Sequence, residues 1–128
     1  MRAMFQNARS FNSSINFNTE NTLSMEFMFS GAENFNLSTS LTGFRFDTKN
    51  VTNMRAMFCG AKKFNPSDLN FDTSNVTDMS FMFFGAKKFN LSGLNFDTSK
   101  VIDMSYMFYG ATAFNQINRR VVFQFLSL

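Results

Sequence analysis

The sequence predicts an α/β repeat solenoid of about five short strand-turn-helix units. The first observation is a recurring phrase. Met-x-x-Met-Phe-x-Gly-Ala-x-x-Phe-Asn stands at Met25 to Asn36, Met54 to Asn65, Met79 to Asn90 and Met104 to Asn115, and a looser copy without the glycine occupies Met1 to Asn12. The second is its period. Phe58, Phe83 and Phe108 are 25 residues apart, as are Asp47, Asp72 and Asp97. The third is a change in apolar spacing inside each unit, from helix-like to strand-like.

Within one unit, Val76, Met79, Met82, Phe83 and Ala86 follow the spacing of one helical face. Ser74 and Asn75 precede that run as candidate N-caps, and Gly85 sits where a helix stops on a left-handed residue. Leu94-Asn95-Phe96 alternates apolar and polar, as a strand does. Asp97-Thr98-Ser99 then forms the turn into the next helix. A competing reading is an all-β solenoid, because Phe, Val and Thr favour strands. Between Phe29 and Phe58 the step lengthens to 29 residues. The extra residues fall within Leu37 to Phe44, a polar stretch that suits a bulging loop.

The whole chain, residues 1–128, reads as a single repeat domain, with repeats over about 1–117 and a capping tail at 118–128. In that tail Arg119-Arg120 leads into the apolar run Val121-Val122-Phe123-Gln124-Phe125-Leu126. The N-terminal end shows no cap, and an uncapped end invites association. The 20 Phe and 10 Met recur mostly at matching positions, which assigns them to a shared core. The chain opens at Met1 inside a repeat with no leader visible. That is read as a soluble intracellular product, a truncated gene or a segment of a longer protein. No apolar run has the length of a membrane span.

Catalytic chemistry finds no foothold. The chain has no His, and no acid pair or nucleophile stands beside a base. The expectation is a protein that is not an enzyme and takes no cofactor. Methionine-held copper or haem would need a histidine partner. Cys59 is the lone cysteine, and its repeat equivalents Ser30, Phe84 and Tyr109 argue for a semi-exposed inert thiol. The net charge is +3, with Lys62-Lys63 and Lys87-Lys88 at one repeat position. These lysines complement helix dipoles or keep the surface soluble. The footprint is too sparse for nucleic acid, and the matching pairs elsewhere are Glu33-Asn34 and Thr112-Ala113.

Stacked repeats place equivalent residues above one another. Asn12, Asn36, Asn65, Asn90 and Asn115 are expected to form a buried ladder that hydrogen-bonds turn backbone. The Asp47, Asp72 and Asp97 column brings like charges together, and local backbone N–H groups are expected to offset them. Calcium is the lesser reading, since one carboxylate per turn is a poor ligand set. The Asn-x-Ser/Thr triplets at Asn12, Asn36, Asn50, Asn75 and Asn90 match glycosylation acceptors but read as turn chemistry. On the outward side of the predicted helices, Phe81, Phe84, Tyr106 and Tyr109 should be neighbours. An exposed aromatic cluster marks a contact site, for a protein ligand or for self-association.

The stretch Phe64 to Asn90, with its Leu-Asn-Phe-Asp-Thr-Ser-Asn-Val-Thr-Asp-Met-Ser core, resembles the repeat of the BspA-like leucine-rich-repeat bacterial surface proteins. The same repeat occurs in surface lipoproteins of wall-less bacteria. The resemblance covers about residues 1–117 and departs at Phe46, Phe71 and Phe96, where that family carries Trp. It implies a leucine-rich-repeat-like solenoid that acts as a non-catalytic protein-binding or adhesion module. The implied ligand is a host or neighbouring cell-surface protein, and the implied location is the cell surface or exterior. The alternative is a structural or self-associating segment with no ligand of its own, and without a leader the cytoplasm also stays open.

Overall fold

The computed structural model describes residues 1–13, 15, 17–36, 46–67, 69–91, 94 and 96–114. The expected helices are not there. The described residues contain no helix, and their only strand-like pairings are isolated parallel bridges at Ser24–Asn53, Asn53–Asp78 and Asp78–Asp103. The α/β solenoid of strand-turn-helix units is therefore incorrect. Its all-β alternative fails too, since single bridges do not make strands. The repeat itself is present as a stack of turn-built coils.

Hydrogen bonding shows why. In the coil starting at Met79, the amides of Met82, Phe84, Ala86 and Phe89 donate to carbonyls three residues back, at Met79, Phe81, Phe83 and Ala86. These are consecutive β-turns. The intervening amides of Met79, Phe81, Phe83 and Gly85 donate instead to Asp103, Ser105, Met107 and Tyr109 of the next coil, at 2.8–3.0 Å. Alternate N–H groups thus close turns within a coil or link it to its neighbour. A helix would send every interior amide four residues back along its own chain.

The turns require left-handed backbone at two columns. One holds Asn7, Gly31, Gly60, Gly85 and Gly110, all with φ between +61° and +76°. Asn7 fills the glycine position of the opening copy because Asn tolerates this region better than most residues. The other column holds Ala3, Phe27, Ala56, Phe81 and Tyr106, with φ between +52° and +58°. Gly85 is left-handed as expected, but it serves a turn and not a helix C-cap. Ser74 and Asn75 are not N-caps. Ser74 donates its N–H and hydroxyl to Asp72, and the Asn75 amide reaches the Lys49 carbonyl at 2.7 Å.

The core is the expected Phe/Met interior. Met79, Met82, Phe83, Ala86 and Phe89 are fully buried, as are Met54, Met57, Phe58, Ala61 and Phe64 one coil earlier. Phe5, Phe29, Phe58, Phe83 and Phe108 form one file, with ring centroids 5.5–5.7 Å apart and planes within 9°. Phe11, Phe35, Phe64, Phe89 and Phe114 form a second file beside it. The two files touch at 4.0–4.3 Å on every level. Phe46, Phe71 and Phe96 flank the first file at 6.2–6.4 Å. In the predicted Leu94-Asn95-Phe96 strand, Phe96 is buried and Leu94 half-buried, with no strand assigned, and Asn95 lies outside the described residues. The Leu37 to Phe44 loop, Asn115 and the 118–128 capping tail also lie outside them.

Candidate protein-contact surface

Two turn positions carry the exposed aromatics. Phe81 and Tyr106 occupy the left-handed column, and Phe84 and Tyr109 follow three residues later, where the next turn closes. A helix was the wrong vehicle, yet the four rings do come together. Phe81 stacks on Tyr106 at 5.2 Å, and Phe84 stacks on Tyr109 at 5.4 Å. Phe81 meets Phe84 at 5.5 Å, and Tyr106 meets Tyr109 edge-on at 6.0 Å. Tyr106 is 60% exposed and Tyr109 65% exposed, whereas Phe81 and Phe84 are half-buried. The result is a wedge that opens toward the C-terminal coil.

The sequence reading missed how the patch continues. At the coil between Phe27 and Phe81 the column carries only Ala56. The Arg55 guanidinium fills that gap, 5.7 Å from the Phe27 ring and 5.6 Å from the Phe81 ring. A cation held between two aromatic faces is a favourable arrangement. It extends one face from Phe27 to Tyr106 and gives it a positive charge. The signal was an arginine next to the only small residue between two aromatic repeat positions.

The polar ladders are built differently from each other. The backbone N–H groups of Asn36, Asn65 and Asn90 donate to the side-chain oxygens of Asn12, Asn36 and Asn65 in the preceding coil, at 2.8–3.0 Å. The expected backbone bonding is present, but these asparagines are exposed and not buried, because they lie on the rim outside the phenylalanine files. Asp47, Asp72 and Asp97 accept the N–H two residues on, from Lys49, Ser74 and Ser99. Hydrogen bonds from Ser74 hold the Asp72 carboxyl below its usual range, and those from Ser99 do the same for Asp97.

A second column was missed. Asn53, Asp78 and Asp103 make the same turn with Arg55, Ser80 and Ser105, and they coincide with the parallel bridges. The Ser105 hydroxyl, then its N–H, lowers the Asp103 carboxyl. The Asp-x-Ser spacing at Asp78 and Asp103 was the available signal. Buried threonines tie the coils from inside, with the Thr48 and Thr73 hydroxyls donating to the Asp72 and Asp97 carbonyls at 3.0 and 3.1 Å.

Other sequence candidates resolve simply. Cys59 is half-buried, and burial raises its thiol above the usual value against a smaller opposing bond from Ser30. Such a thiol stays protonated and weakly reactive. The glycosylation-like Asn50 and Asn75 spend their amides on the Glu20 and Lys49 carbonyls. Lys62, Lys63, Lys87 and Lys88 are exposed, with Lys62 3.5 Å from Glu33. Their helix-dipole role disappears with the helix. Among the described residues no three His, Cys, Asp or Glu side chains gather at a metal-sized site. Nor is any helix there long and apolar enough to cross a membrane.

Residues 1–65 and 39–124 each match the family described as Mycoplasma protein of unknown function, DUF285. The chain belongs to the DUF285 family. Together the two matches take in nearly all of its repeats, and each match is longer than one coil. No curated protein and no solved structure matches the chain.

Proposed function

We propose that this DUF285 chain is a non-catalytic protein-binding module. The observation that carries the reading is the exposed aromatic wedge of Phe81, Phe84, Tyr106 and Tyr109, joined through Arg55 to Phe27. Aromatic residues and arginine are the commonest anchors of protein interfaces, and a contiguous apolar patch of this kind is costly to leave in water. A slightly basic aromatic face suits a partner that offers an apolar surface edged by carboxylates. The likeness to the repeat of BspA-like surface proteins supports adhesion at the cell surface or outside the cell as the setting. The absence of any histidine supports a binding role over an enzymatic one.

The experiment is capture of surface or extracellular-matrix proteins by the purified chain, compared with a Phe81→Ser/Tyr106→Ser variant and an Arg55→Ala variant. The reading requires a bound protein that the double variant loses at least tenfold in affinity. Equal capture by the wild-type chain and the double variant would defeat it.

A further inference from the structure

Each coil carries outward side chains at the tips of its consecutive turns. In the coil from Met79, the turn closed by Met82 has Ser80 and Phe81 at its tip, the turn closed by Ala86 has Phe84 and Gly85, and the turn closed by Phe89 has Lys87 and Lys88. One coil earlier, the corresponding tips hold Arg55 and Ala56, Cys59 and Gly60, and Lys62 and Lys63. The Lys88 N–H donates to the Lys62 carbonyl at 3.1 Å, so one lysine tip lies on the other. All four lysine side chains are exposed. Positive charge is concentrated on these two interior coils. Residues 54–65 hold Arg55, Lys62 and Lys63, residues 79–90 hold Lys87 and Lys88, and neither stretch contains a carboxylate. Glu33 of the preceding coil lies 3.5 Å from Lys62, but it also faces Arg9 at 4.0 Å. Among the described residues, Lys63, Lys87 and Lys88 have no carboxylate partner.

We propose that this lysine quartet takes the carboxylates of an acidic amphipathic protein segment whose apolar side chains meet Phe81 and Phe84. The inference rests on the protein-binding reading of the wedge and names the chemistry of its partner. Like charges one coil apart repel, and the levels here are separated by the 6.1 Å between the Phe64 and Phe89 rings. A partner that brings anions relieves that repulsion and is steered to the site by it. Three features select a protein segment. The lysine tips follow the aromatic tip on the same coil, so the partner must be apolar and acidic within a few residues. The basic patch ends after two coils, with Glu33-Asn34 at its position on one side and Thr112-Ala113 on the other. That length fits a short run of acids and gives a long polyanion no track to follow. Among the described residues, neither basic coil has a well-exposed Phe, Leu, Ile or Met to insert into a bilayer beside the lysines.

The test is fluorescence anisotropy with the full 128-residue chain. The probe is a labelled synthetic peptide that mixes glutamates with leucines, and a second peptide carries lysine in place of each glutamate. The wild-type chain is compared with a Lys62→Gln/Lys63→Gln/Lys87→Gln/Lys88→Gln variant, with the matching four-fold Lys→Glu variant, and with Phe81→Ser/Tyr106→Ser. The wild-type chain should bind the acidic peptide and lose about tenfold or more in affinity at about 1 M salt, where the screening length is about 3 Å. The glutamine variant should show the same loss at low salt. The glutamate variant should bind the basic peptide instead, which also shows that it folds. No binding of the acidic peptide by the wild-type chain, or binding that the glutamine variant keeps, would overturn the proposal. So would tighter binding of the wild-type chain to heparin or to phosphatidylserine vesicles than to the peptide, because the tips would then serve a polyanion or a lipid surface. The two readings fail separately. If only the aromatic variant loses the peptide, the wedge binds protein and the lysine role falls. If only the lysine variants lose it, the lysine role stands and the wedge reading falls.

Discussion

Phe58 and Phe83 lie face to face at 5.7 Å with their planes 5° apart, each at the centre of a level that also holds a second phenylalanine about 4 Å away. Every internal coil therefore rests on ring contacts above, below and beside it. Phe83→Ala removes all of these at once. It should lower the unfolding free energy by about 3–5 kcal/mol, as truncation of a fully buried aromatic does. Phe108→Ala should cost less, because that ring is only half-buried. Urea denaturation of the two variants measures the difference. Equal losses would mean that the level-to-level stacking is not what the ring at position 83 contributes.

The left-handed columns predict unequal effects of one methyl group. Gly85→Ala should destabilise by about 1–2 kcal/mol, the cost of a Cβ in that backbone region. The nearest neighbour of the added carbon would be the Gly60 Cα at 3.9 Å, so the cost is conformational and not a clash. Ala56→Gly relieves the same strain at φ +52°. Greater freedom in the unfolded chain takes back about 0.4–1 kcal/mol, and loss of the buried Ala56 methyl about 0.8 kcal/mol more, so the net change is near zero. Melting temperatures should fall for the first variant and hold for the second.

Thr73 is buried, and its hydroxyl links one coil to the next through the Asp97 carbonyl. Thr73→Val keeps the shape and deletes the bond. The expected loss is about 1 kcal/mol, and Thr73→Ser, which retains the donor, should recover the hydrogen-bond part of it. A valine variant as stable as wild type would show the bond to be neutral.

Acid should weaken the fold through the aspartate turns. The folded carboxyls of Asp72, Asp97 and Asp103 are lowered, with the bonds from Ser74, Ser99 and Ser105 as the main cause. A lowered folded value means that the unfolded chain binds protons first. These groups thus stabilise the fold above the ordinary aspartate value of about 3.9, and the contribution is lost as pH falls through the depressed folded values. All three are exposed, so the effect is modest and weaker in salt. Replacing them together by Asn keeps an acceptor in each turn but removes the proton linkage. The acid limb of a melting-temperature profile should be slightly shallower in the triple variant than in the wild-type chain.

Much of this arrangement was legible in the spacing of residues. The 25-residue period put Phe58, Phe83 and Phe108 in one file, and it brought Phe81, Phe84, Tyr106 and Tyr109 together on the surface. The backbone conformation was not legible. Overlapping β-turns bury Met79, Met82, Phe83 and Ala86 at steps of three and one, the same steps that mark a helical face. Local propensity gave no warning either, because Phe81 and Tyr106 are side chains that rarely accept positive φ. Only the stacked coils, whose carbonyls receive every second amide, make that conformation worthwhile. Arg55 escaped notice for a related reason. Its place between Phe27 and Phe81 follows from three successive coils, and no single repeat contains it.

The bonds between coils also have an electrical direction. On the turn wall the N–H groups of Met79, Phe81, Phe83 and Gly85 all point toward the C-terminal coil, while those of Thr77 and Lys88 point the other way, to Thr52 and Lys62. An α-helix adds its peptide dipoles with one sign as it grows. Here two opposed sets run side by side and partly cancel. A longer stack of such coils would accumulate less charge separation per unit length than a helix does, and its two ends would differ electrically by wall instead of as whole faces.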